Sequence, residues 1–281
     1  MLLLSAALLG SAAAAAASAP QGTLVPQGRY LMLDARIAGT PVRALLDSAA
    51  EMTLLDPAFA SRARLIAGES VTGHGSGREA FRARLVPGVT IDALGLHLTK
   101  QTVAIADLGD VGRRLVGARL DVILGREIFD AARITVDIAG LRIAVVPRGH
   151  EPPGVRLPLA QEHGTDTLPV RIEDGSPVQA AFDLGNGRGV LIGARYAEQR
   201  NMLRDGRMVR EEHGGGLGGE VRRAHFTLRS IEIAGLRLHA VPASIDAEPT
   251  ASDANLGLDV LRNFRITVDF AQHSIWLAPR R

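Results

Sequence analysis

Residues 124–147 read LGREIFDAARITVDIAGLRIAVVP, and residues 256–279 read LGLDVLRNFRITVDFAQHSIWLAP. Ten of the 24 aligned positions are identical, among them Leu124-Gly125 with Leu256-Gly257 and Arg133-Ile134-Thr135-Val136-Asp137 with Arg265-Ile266-Thr267-Val268-Asp269. Agreement of this kind marks an internal duplication, which constrains the architecture before any element is assigned. Working toward the N-terminus, Gly39-Thr40-Pro41-Val42-Arg43-Ala44-Leu45-Leu46-Asp47 recurs as Gly175-Ser176-Pro177-Val178-Gln179-Ala180-Ala181-Phe182-Asp183. Between these blocks each half carries a glycine-rich turn, Gly73-His74-Gly75-Ser76-Gly77 in one and Gly214-Gly215-Gly216-Leu217-Gly218-Gly219 in the other. The same parts occur twice in the same order. This order predicts two similar lobes, 28–148 and 167–281, with a linker over 149–166.

Each half reads mainly as strand. Tyr30 to Ile37, Val42 to Leu46, Arg82 to Val86, Thr102 to Ala106 and Ile134 to Ile138 are short apolar or alternating runs bounded by Gly, Pro and Asp. Helical spacing is confined to Pro57 to Arg64, Arg126 to Ala132, Arg195 to Met202 and Leu258 to Asn263. The expected class is therefore all-β, with short helices, as two tandem barrel-like lobes or a sandwich. A βαβ sheet would need longer helices between its strands.

Composition removes several functions. With no cysteine among 281 residues there is no disulfide, cysteine nucleophile or thiolate metal site. The eight histidines show no His-x-His or His-x-x-x-His spacing, so no metal site is expected. The formal charge is only +2, and Lys100 is the single lysine among 32 basic residues. Those arginines are scattered and aromatics make up only 4%, a pattern that does not fit a nucleic-acid surface.

Met1 to Ala19 carries no charge, runs through Leu2–Leu9 into an alanine tract, and ends Ala17-Ser18-Ala19. Small residues at the last and third-last positions suit a cleaved export signal, with an uncleaved N-terminal anchor as the alternative. The mature chain is then expected outside the cytoplasm, periplasmic or secreted, without stable membrane insertion.

The duplicated aspartates are the candidate chemistry. Asp47 and Asp183 each follow two apolar residues at the end of a strand, in Leu45-Leu46-Asp47-Ser48-Ala49 and Ala181-Phe182-Asp183-Leu184-Gly185. If the lobes pack about a pseudo-twofold axis, the two carboxyls face each other, share a proton and serve as acid and base at one pH. Water held between them could then hydrolyse a peptide bond.

With these motifs in order, a glycine-rich flap in each half, and Val122-Ile123-Leu124-Gly125-Arg126-Glu127 near the end of the first lobe, the sequence resembles the pepsin/retropepsin group of aspartic proteases, specifically its retropepsin-like bacterial members. The resemblance spans nearly the whole mature chain. It implies a bilobal all-β peptidase with Asp47 and Asp183 catalytic, a peptide or protein substrate beneath the flaps Gly73–Gly77 and Gly214, Gly215, Gly216 and Gly218, and no cofactor. It also implies an ion pair between Glu51 and Arg126 supporting the first active-site loop. Since both aspartates come from one chain, a monomer suffices.

Both motifs depart from the family's Asp-Thr/Ser-Gly. In the first, Ala49 stands where glycine is usual, and it can bring its amide to the carboxylate only with a negative φ. In the second, Leu184 replaces the hydroxyl that would reach the opposite loop, while Gly185 is kept. A weak or silent protease-like peptide-binding protein therefore stands as the alternative to an active enzyme.

Other motifs carry less. His213-Gly214-Gly215-Gly216 resembles a lipase oxyanion loop, but the sequence has no Gly-x-Ser-x-Gly elbow. Asp137 and Asp269 also repeat, but they follow short apolar strands and precede turns, so they read as hairpin caps. Trp276, in the last strand opposite Ala144 of the first half, reads as core.

Overall fold

The repeated Ile-Thr-Val-Asp segments pair with each other. In the computed structural model, which describes residues 21–248 and 251–280, Ile134–Asp137 and Phe264–Asp269 run antiparallel with Ile134 opposite Val268, Thr135 opposite Thr267 and Val136 opposite Ile266. Thr135 and Thr267 are equivalent residues, so their direct pairing, with Oγ atoms 2.9 Å apart, places the pseudo-twofold axis between them. Around this pair builds a six-stranded sheet shared by both halves, in the order Gln21–Thr23, Arg142–Val145, Ile134–Asp137, Phe264–Asp269, Ser274–Pro279, Val155–Pro158.

Symmetry extends to the charges on this sheet. Arg133 Nε donates to Asp269 at 3.2 Å, and its equivalent Arg265 lies 3.8 Å from Asp137. Arg148 bonds Asp269 and Arg280 bonds Asp137. Asp137 and Asp269 also accept from Gly140 and Gln272 in the following turns, so both cap hairpins as their sequence setting indicated. Asp269 is fully buried; burial opposes its ionisation, but Arg148 and Arg133 hold it below the ordinary carboxylate range. The repeated motif thus encodes an ion-paired seam between the halves.

Outside the seam, each half folds its own eight-stranded sheet with the same strand order. In the first, Thr40–Leu46 lies parallel to Val122–Leu124, which pairs antiparallel with Leu54–Leu55. In the second, Pro177–Phe182, Ala254–Leu256 and Val190–Gly193 repeat that arrangement. Tyr30–Ile37 pairs with Phe81–Ala93, and Thr165–Ile172 with Val221–Ile233, bending each sheet back on itself. The fold is therefore all-β with two lobes. Helices are brief: Pro57–Arg62, Glu127–Ala131, Ala194–Gln199 and Leu258–Leu261 occupy the expected places. One region at Gly109–Val116 coils without having been foreseen, because its Gly and Arg residues break the apolar periodicity.

Two expectations need adjustment. The expected linker contributes strands of its own: Val155–Pro158 pairs with the last strand, Ala160–Glu162 pairs with Thr165–Ile172, and the latter starts within the span. Trp276 is core, at 1% exposure, but its strand neighbours are Thr267 and Arg156, whereas Ala144 faces Thr135 and Gln21. Residues 1–19, read as an export signal, lie outside the described residues. No described helix is long and apolar enough to cross a membrane.

Candidate active site

Backbone pairing delivers both aspartates to one place. Asp47 N–H donates to Leu124 O at 3.0 Å, and Asp183 N–H donates to Leu256 O at 3.3 Å, so each Leu-Gly segment holds the loop that follows the neighbouring strand. The Asp47 carboxyl lies directly against Gly185 of the opposite loop, where an added Cβ would overlap it. Here the glycine is required by close approach. Asp47 and Asp183 are thus brought together across the axis, at the floor of a cleft of about 730 Å³.

Each loop turns its own amides onto its carboxylate. Ala49 and Ala50 N–H donate to Asp47 Oδ1 at 2.9 and 3.0 Å, while Gly185 and Asn186 N–H donate to Asp183 Oδ1 at 2.8 and 3.0 Å. Ala49 lies outside the positive-φ region, so its Cβ does not disturb the first loop. Ser48 Oγ donates to Phe182 O at 2.9 Å and accepts from Leu184 N–H at 3.0 Å. One hydroxyl thereby ties both loops together from the first half. Leu184 is fully buried in the apolar core and contributes only its amide to that tie.

Beyond this the two carboxyls differ. Asn255 Nδ2 donates to Asp183 Oδ2 at 2.7 Å, and its Oδ1 accepts from Asn186 Nδ2 at 2.8 Å, which fixes the amide's orientation. Asn255 takes the strand position of Ile123, which offers Asp47 nothing comparable. Burial first, and then the neighbouring Asp183 carboxylate, push Asp47 up to about 7 against its two amide bonds. Burial also raises Asp183, but Asn255 leads the groups that oppose the rise. Asn255 therefore favours the charged form of Asp183 through a hydrogen bond that Asp47 lacks. Sequence reading missed Asn255; its signal was the place directly before the duplicated Leu-Gly.

The expected Glu51–Arg126 pair does not form. Arg126 Nη2 lies 2.8 Å from Asp166 and 3.0 Å from Asp130, Nη1 donates to Gly164 O at 2.9 Å, and the guanidinium stacks 5.1 Å over Phe270. Asp166, almost wholly buried, is the better partner because little water competes for it, and Glu51 stays exposed against Gly164. Arg126 thus clamps the halves together instead of bracing its own loop. That bracing falls to Glu127, which accepts from Thr53 N–H and from Thr53 Oγ1 at 3.0 Å, while the same Oγ1 accepts from Gly125 N–H at 3.1 Å.

Residues 33–128 match the aspartyl protease family. The matched stretch holds Asp47, the first flap and the Leu-Gly-Arg segment, about a third of the chain. A second similarity is to the spectinabilin polyketide synthase system protein NorB of Streptomyces orinoci, 43% identical over 79 residues, which are 27% of this chain and 4% of that protein. The chain spans so little of that relative that the likeness assigns it no activity.

Both hairpins cover the cleft above Asp47 and Asp183. Gly73, His74, Gly75 and Ser76 line the cleft from one side and Gly214, Gly215 and Gly216 from the other. The tips interlock: Gly77 N–H donates to Leu217 O and Glu79 N–H to Gly218 O, both at 2.8 Å. Gly218, at φ +91°, is one of the residues that let the tips mesh. Arg114 donates to the carbonyls of Gly214, Gly215 and Gly216 at 2.9 to 3.0 Å, linking the second flap to the first half. Among the described residues no group of His, Asp and Glu is placed to hold a metal ion.

Proposed function

We propose that the chain is an aspartic-type endopeptidase that hydrolyses extended peptides with a water activated by Asp47 and Asp183. The observation that carries this reading is the pair of unlike carboxyls, Asp47 pressed onto Gly185 and raised to about 7, Asp183 held by Asn255. Asp183 takes a proton from water as the oxygen attacks the peptide carbonyl carbon, while Asp47 gives its proton to the carbonyl oxygen. In the collapse of the resulting diol, Asp47 recovers a proton from one hydroxyl and Asp183 passes its own to the leaving nitrogen. The C–N bond breaks, and one water is consumed with the dyad returned to its starting state. The flap backbones bind the substrate as an added strand.

Purified protein lacking residues 1–19 tests this against a mixed peptide library from pH 3 to 9. Hydrolysis abolished by Asp47→Asn and by Asp183→Asn supports it; hydrolysis that survives either change refutes it. Leu184 favours a second reading, a peptide-binding protein without turnover, because the second loop cannot return the hydroxyl bond that Ser48 gives. That reading expects peptide affinity unchanged by either Asn substitution. Residues 1–19 support an exported location, and the presence of both aspartates in one chain supports a working monomer.

A further inference from the structure

The duplication allows the two sides of the cleft to be compared position by position. Strand register makes Val71 equivalent to Glu212, Ala83 to Arg223, Leu85 to His225 and Ala104 to Ser244, since Val71 faces Ala83 and Leu85 faces Ala104 just as Glu212 faces Arg223 and His225 faces Ser244. In the first half these positions belong to an apolar cluster that includes Leu54 and Ile123 and opens into the cleft. In the second half every one of the four is polar. Glu212 binds Arg188 and lies 3.2 Å from His225, and Ser244 donates to Glu212 at 3.3 Å.

Arg188 and Arg223 line the cleft on this polar side together with Asp246, and Arg188 is paired with Glu212. Arg223 is more than nine-tenths buried, and its ties are slight: Asp246 is 3.6 Å away and Ser76 O of the first flap 3.4 Å. Its Nε finds no acceptor among the described residues. Arg223 thus lines the cleft with a guanidinium held only by these two long contacts, and a carboxylate is the side chain best fitted to it.

We propose that the cleft carries two unlike subsites, an apolar one on the first half and an anion-accepting one at Arg223 and Arg188 on the second, so that it selects peptides with an Asp or Glu side chain across the reacting bond from a large apolar one. The sides follow from symmetry: the dyad sits on the axis, and the subsites related by that axis flank the bond it attacks. Identifying that bond rests on the proposed peptidase reading; the unlike subsites do not.

The test has a cleavage arm and a binding arm. In the first, the protein is assayed on paired peptides that differ only as Glu or Gln at the position across the bond from Leu or Phe. In the second, the Asp47→Asn/Asp183→Asn protein selects from an immobilised random peptide library. A Glu-over-Gln preference of about tenfold to a hundredfold is expected, in kcat/KM and in affinity. Arg223→Gln should bring it close to one, and Arg223→Glu should reverse it in favour of Lys or Arg. If Arg223 merely latches the flap, its loss lowers all peptides alike and leaves the ratio intact, which overturns the proposal. Cleavage without acidic preference also overturns it and leaves the peptidase reading standing. Acidic-apolar selection in the binding arm without cleavage supports the subsites and removes the peptidase. Neither cleavage nor binding refutes both.

Discussion

Replacing Asn255 with leucine, nearly the same shape and close to its counterpart Ile123, deletes the 2.7 Å bond to Asp183 Oδ2 and the 2.8 Å bond from Asn186 Nδ2. A hydrogen bond to a buried charge contributes about 1.5–3 kcal/mol. At 1.36 kcal/mol per pKa unit, that amounts to a rise of about one to two units in the lower ionisation of the pair. The upper ionisation should barely move, because Asp183 is already charged on both sides of that step and Asn255 stabilises both states alike. The acid limb of log kcat/KM against pH, which reports the free enzyme, should therefore shift upward while the alkaline limb near 7 stays in place. The active window narrows from one side. An unmoved acid limb, or both limbs moving together, would refute the assignment of the charge to Asp183.

Further outcomes follow from the same contacts. Gly185→Ala places a Cβ into the Asp47 carboxyl and should abolish turnover while circular dichroism shows the fold retained. Burial and the neighbouring Asp183 push Asp47 up to about 7 from the ordinary 3.8, so its contribution to stability is complete below 3.8 and is lost as pH rises through 7. Asp47→Asn should thus be more stable than the parent at pH 8, by a few kcal/mol at most, and close to it at pH 4, as measured by urea unfolding. Asp269→Asn leaves the buried Arg133 with reduced compensation and should cost about 3–5 kcal/mol, read as a fall in the urea midpoint.

Much of this arrangement is legible because each structural device occurs twice in the sequence. Arg133 and Arg265, Asp137 and Asp269, and Arg148 and Arg280 stand at equal spacings in the chain, and they meet as reciprocal ion pairs because the axis passes between Thr135 and Thr267. The aspartates and flaps were legible for the same reason. What escaped is what differs between the halves or depends on distant partners. Asn255 looks like an ordinary strand residue until it is set beside Ile123. Arg126 has suitable partners in Glu51, Asp130 and Asp166 by charge alone, and only folding reveals that Asp166 is buried beside it. The span 149–166 has turn-forming composition, yet it pairs as strand because open edges of two sheets lie within reach.

The proposed chemistry requires that Asp47 and Asp183 form one proton-sharing pair. It is tested most directly by following both carboxyl carbons by NMR as pH is changed, in the parent protein and in Asp183→Asn. Asp47 is expected to titrate near 7 in the parent and to drop when the neighbouring charge is removed. An Asp47 titration near 4 that is indifferent to Asp183→Asn would contradict it.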